Sequence, residues 1–67
     1  MSTIAKNIKV HREVKGLTQK ELAEALGKTK NVLSNWENDY NKPDVDSIYI
    51  LCKIFEIDVN TLFGWGK

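Results

Sequence analysis

The sequence predicts an all-α fold, a compact domain of five short helices in which the second and third are joined by a tight turn. Three observations predict it. Apolar residues recur at helical spacing, helix-starting side chains stand ahead of the later apolar runs at Thr18, Thr29, Asp44 and Asp58, and Gly16 and Gly27 stop two of the patterns. At 67 residues the chain has room for one domain, taken as residues 1–67. A core of this size supplies only ~3–5 kcal/mol without a staple, so close helix packing and a second subunit are the expected sources of stability.

The first helix is expected from a cap at Ser2 or Thr3 to about Lys15, with Ile4, Ile8 and His11 as its inner stripe and Arg12 beside them. His11 reads as a partly buried core imidazole, because no acid, serine or second histidine stands at a spacing that would make it catalytic. Val10 and Val14 form an apolar pair off that stripe. Gly16 then closes the helix, and Leu17 returns the chain to the core.

Thr18 and Glu21 form a capping box, in which each side chain satisfies a backbone donor of the other residue. Gln19, Leu22, Ala23 and Leu26 share one face of the second helix, while Lys20, Glu21 and Glu24 look outward. Ala23 is small where two helices must approach closely, and Gly27 lets the chain turn at once.

Thr29 caps a third helix from about Lys30 to Glu37. Leu33 and Trp36 lie on one side of it, and Lys30, Asn31, Ser34, Asn35 and Asn38 fall on the other. Glu and Lys usually make up a solvated helix face, because they favour helix; this face carries amides and a hydroxyl, poorer helix formers that hydrogen-bond in two directions. Asn pairs bidentately with adenine, and Lys reaches the guanine acceptors in the major groove. The same face also fits an ordinary polar surface, so the helix alone leaves both readings open.

A loop from Asn38 to Pro43 carries turn formers, and Asp44 caps a fourth helix running to about Phe55. Its core stripe is expected to be Val45, Ile48, Leu51, Cys52 and Phe55, with Tyr49 at the margin. Ile50 and Ile54 fall on the opposite face beside Lys53, which suggests a protein-partner surface. Ile57 re-enters the core, Asp58 caps a fifth short helix, and Val59, Leu62 and Phe63 complete the apolar set. Trp65 stands between Gly64 and Gly66 near the end and needs cover from its own domain or from a second subunit.

GLTQKELAEALG at 16–27, TKNVLSNWEN at 29–38, KPD at 42–44 and Arg12 upstream together resemble the helix-turn-helix of phage repressor and Cro proteins, the Xre family of bacterial regulators. The similarity covers nearly the whole chain. It implies a phage-repressor-like DNA-binding domain whose third helix lies in the major groove while the second crosses the backbone. By the same resemblance Lys30, Asn31, Ser34 and Asn35 would read bases, and Gln19, Thr29, Asn38, Tyr40 and Lys42 would hold the DNA backbone. Arg12 would pair with Glu37, and a homodimer would form near the last helix through Val59, Leu62, Phe63 and Trp65. Three positions depart from the pattern. Lys28 stands where relatives have a half-buried Val, Val32 where they have Thr or Ser, and Asp39 where they prefer Gly. Lys28 is expected to reach toward phosphate, and Val32 either to touch a thymine methyl or, the favoured reading, to extend the edge of the core.

Formal net charge is only +1, but residues 1–30 hold seven Lys/Arg against three acids and residues 31–67 three against six. The basic half can face phosphates while the acidic half points away. No cofactor or metal is expected, since Cys52 and the lone His11 fall far short of a zinc set, and one cysteine makes no internal disulfide. Enzymatic activity is not expected either, for want of a nucleophile with its base, a paired-carboxylate cleft or a phosphate loop. The longest strong apolar run, Ile48 to Cys52, is too short to cross a bilayer, which leaves a cytoplasmic, nucleoid-associated location as the expectation. The leading expectation is therefore a sequence-specific regulator of double-stranded DNA, a repressor acting as a dimer on an operator. The alternative is an antitoxin- or anti-repressor-like module whose main partner is a protein, bound through Ile50, Ile54 and Trp65.

Overall fold

A computed structural model describes residues 3–65, so the proposed Ser2 cap and the glycine after Trp65 lie outside the described residues. Five helices follow in order: α1 (Thr3–Val14), α2 (Gln19–Leu26), α3 (Lys30–Glu37), α4 (Val45–Phe55) and α5 (Val59–Phe63). The all-α expectation holds, with each boundary within a residue or two of the one read from its cap.

Ile8, Leu22, Leu33, Leu51 and Leu62 are fully buried, one from each helix, and Ile4, Ala23, Leu26, Trp36 and Phe55 close around them. Every helix thus contributes a side chain to one shared core. α1 crosses the assembly and touches α3, α4 and α5, while α2 and α3 pack tightly on each other through Leu22, Ala23, Leu33 and Trp36. His11 is half-buried, and its imidazole stacks on the Phe55 ring at 5.7 Å between centroids. Val10 and Val14 remain exposed.

The punctuation follows from the caps. Thr18 accepts from the Glu21 amide at 3.0 Å and its own amide donates to the Glu21 carboxylate at 2.9 Å, so the capping box is complete. At Gly27 the backbone turns left-handed, φ 69°, and the Lys28 amide donates back to the Ala23 carbonyl at 2.8 Å. α3 ends the same way without a glycine. Asp39 takes the left-handed position at φ 65°, while the Asp39 and Tyr40 amides donate to the Trp36 and Asn35 carbonyls. A short polar side chain tolerates that backbone better than most, so the turn survives the loss of glycine.

α4 corrects the stripe expected for it. Val45 is 80 % exposed, and the inward meridian runs through Ser47, Leu51 and Phe55 instead. Ser47 can be buried because its hydroxyl donates to the Asp44 carboxylate at 2.6 Å, which leaves no unmet polar group. With the helix turned that way, Ile50 and Ile54 flank the core on one side and Ile48 and Cys52 on the other. They are half-buried against their own domain, not displayed on an outer face, and the surface expected there is largely spent.

α5 is pinned to α1 by Asn7, whose side-chain amide donates to the Thr61 and Leu62 carbonyls at 3.2 and 2.9 Å. Leu62 is thereby driven fully into the core, and it leaves the set of residues that could meet a second subunit. Val59 and Trp65 stay exposed, with Phe63 half-buried and stacked on Trp65 at 4.8 Å.

Candidate nucleic-acid interface

α3 is fastened by its inner side. Leu33 is fully buried and Trp36 nearly so, and their anchoring fixes which side chains the helix must present outward. Lys30, Asn31 and Asn38 are exposed, and Ser34 and Asn35 are half-exposed beside them. Five polar groups therefore share one uncovered face, none of them sealed beneath another helix. Asn38 donates from its amide to the Ser34 hydroxyl at 3.2 Å, one turn back, so these two are mutually oriented. Val32 is half-buried and packs against the core from the edge of this face.

The orientation of that face is set by a charged knot behind it. The Arg12 guanidinium on α1 grips Glu37 at the end of α3 with two bonds, Nε to Oε2 at 2.7 Å and Nη2 to Oε1 at 3.2 Å. Its remaining amine donates to the Leu17 carbonyl at 2.8 Å, and the Gln19 side-chain amide adds a 3.0 Å bond to Glu37 Oε1. Glu37 is only 4 % exposed and the Arg12 side chain 11 %, so this pair is withdrawn from water and fully hydrogen-bonded. The hydrogen bond that Arg12 donates to Glu37, outweighing burial, holds the guanidinium above its ordinary value. α1, the start of α2 and the end of α3 are thus tied at one point. Gln19, expected to serve phosphate, spends one amide hydrogen on this knot and keeps its half-exposed position at the α2 N-terminus.

The remaining residues expected to contact the DNA backbone stand at the ends of α3 and in the loop that follows it. Thr29 caps α3 by accepting from the Val32 amide at 3.4 Å. Tyr40 is 75 % exposed on the loop after α3, and Lys42 is exposed beside it, paired with Asp39. Lys28 in the turn faces Asp44 at 3.7 Å rather than extending outward alone. Among the polar partnerships not read from the sequence are Asn7 with α5, Asp39 with Lys42 and Lys15 with Glu56. Only the second had a signal, two opposite charges three residues apart in a predicted turn.

No cluster of metal-ligating residues exists among the described residues, and no helix among them is long and apolar enough to cross a membrane. Burial raises the Cys52 thiol above its ordinary value, the opposite of what a reactive thiolate needs.

A short helix packed across a second one by a glycine turn, with its polar outer face uncovered, defines a helix-turn-helix protein. The helix-turn-helix family model matches residues 8–62, and the chain belongs to that family. It is 39 % identical over 62 residues to the HTH-type transcriptional regulator ImmR of Bacillus subtilis, covering 92 % of this chain and 49 % of the relative. It is also 36 % identical over 64 residues to the antitoxin PezA of Streptococcus pneumoniae, covering 96 % of this chain and 40 % of that protein. The chain thus spans less than half the length of these curated relatives. Among solved structures, the biofilm regulator SinR in complex with DNA superposes with a TM-score of 0.78 at 32 % identity, over 88 % of this chain and 95 % of that one. The P22 c2 repressor in complex with a synthetic operator superposes at 0.85 with 19 % identity, over 94 % and 96 %, a likeness of fold.

Proposed function

We propose that the chain is the DNA-binding part of a transcriptional regulator, a repressor that reads double-stranded DNA in the major groove with α3. One observation carries this reading: the amide-bearing face of α3 is uncovered while Leu33, Trp36 and the Glu37 knot hold the helix rigid from behind. The likeness to ImmR, and to SinR with DNA bound to it, supports the same assignment.

In the proposed complex Lys30, Asn31, Ser34 and Asn35 contact base edges. Gln19, Thr29, Asn38, Tyr40 and Lys42 position the sugar-phosphate backbone. The protein acts in the cytoplasm as a symmetric homodimer on half-sites about one helical turn apart. Val59, Phe63 and Trp65 are its candidate contacts, Leu62 having been withdrawn. Selection of bound duplexes from a random pool tests the whole proposal: it should return an inverted repeat, whose symmetry reports the dimer, and recovery of no enriched sequence overturns it.

The similarity to PezA favours a second reading, a module whose main partner is a protein. A salt series separates the two, because binding that neutralises phosphates weakens steeply with salt, whereas an apolar interface does not.

A further inference from the structure

We propose that Asp39 is an affinity-setting residue that competes with DNA phosphate for the Lys42 ammonium. The inference rests on the DNA-binding reading above. Three observations carry it. Asp39 sits in a left-handed backbone position that closes α3, φ 65°, where glycine is the least strained residue, so its presence answers no demand of the turn. Its carboxylate pairs with Lys42 three residues on, across the loop that borders the polar face of α3. The carboxylate is also the more sheltered partner, 27 % exposed against 60 % for the lysine, so the anion is fixed in the turn while the cation reaches from it.

That arrangement places one negative charge next to a cation in the loop where phosphates would pass. To contact a phosphate, Lys42 must share its ammonium with Asp39 or leave it. Each cation withheld from the DNA removes one unit from the count of neutralised phosphates, and with it both affinity and salt dependence. The effect touches no base edge. It lowers affinity for specific and random duplexes alike, and so tunes occupancy without altering the preferred sequence.

The test is a set of binding isotherms by fluorescence anisotropy, on the selected duplex and on a scrambled one, for the wild-type chain, Asp39→Asn, Lys42→Met and the double variant. Asn keeps the left-handed turn and the side-chain size while removing the charge. Asp39→Gly serves as a second probe of the same turn, and thermal melts establish that each variant is folded. Asp39→Asn should bind both duplexes about fivefold more tightly at low salt and steepen the salt dependence by about 0.9 per subunit. The gain should vanish when Lys42 is Met.

If wild type binds and both Asp39 variants match it, the inference falls while the regulator reading stands. If the gain persists without Lys42, simple repulsion explains it and the competition is overturned. Failure of wild type and Asp39→Asn alike to bind any duplex overturns the regulator reading, and this inference with it.

Discussion

Glu37 is the side chain on which the geometry of the polar face turns, because it gathers Arg12 and Gln19 at the end of α3. Its replacement by Ala leaves a guanidinium with 11 % exposure and only the exposed Glu13 carboxylate, 3.9 Å away, as a counter-charge, which should cost ~3–5 kcal/mol in urea unfolding. Replacing Arg12 and Glu37 together by Met should cost less than either single change, since no orphan charge remains; additive losses would mean that the two act independently. At this scale Trp36 was legible from its own type and its place on the helix beside Leu33, and the Arg12–Glu37 pair from the resemblance to the Xre family alone. Ser47 was not, because a serine reads as exposed until its Asp44 partner is known. Asn35 offers the matching test on the outer face. Asn35→Ala should lose ~1–3 kcal/mol on the selected site and relax preference at one base pair in a repeat selection. Equal losses on selected and random duplexes would remove it from the reading set.

The helices were legible in their ends more than in their rotation. Thr18, Thr29, Asp44 and Asp58 mark starts that the structure keeps, and Asp58 accepts from the Thr61 amide at 2.7 Å. The rotation of α4 escaped because apolar residues cover more than half of its circumference, so their pattern fits more than one inward meridian until Ser47 is seen to be buried. Two glycines close elements for different reasons, and the difference is measurable. Gly27 has φ 69° and open space around an added Cβ, so Gly27→Ala should cost about 1–2 kcal/mol from backbone strain alone. Gly64 has φ 77°, and its Cβ would press into the Thr3 methyl at the start of α1. Gly64→Ala should therefore be the more damaging in chemical unfolding, and Thr3→Ser should recover the excess.

The cap at Asp58 also sets a pH dependence. The Thr61 hydrogen bond lowers the carboxyl below its ordinary value of 3.8, so its contribution is complete above that value and is lost as pH falls through the lowered one. Asp58→Asn keeps an acceptor without the titration, and should flatten the acid limb of the stability profile recorded by circular dichroism.

At the scale of the whole molecule, the uneven charge read from the sequence meets a fold that puts the cations into internal pairs. Lys15 faces Glu56 and Lys28 faces Asp44, so the basic surplus of the first half is partly met by acids of the second, while Lys42 is met within the second half by Asp39. That cancellation was invisible in a charge count by halves, since it depends on which loops the fold brings together. The last helix carries the other unresolved surface. Trp65 is 63 % exposed and stacks on the half-buried Phe63 ring, and Val59 of the same helix is also exposed, so this end of the domain presents an apolar surface to solvent. Because Trp65 lies outside the core and Trp36 inside it, Trp65→Ala should leave the unfolding midpoint almost unchanged. If the homodimer forms here, the same variant should weaken self-association in analytical ultracentrifugation and bind a paired site no better than a single half-site. Undiminished self-association would place the contact between subunits elsewhere on the molecule.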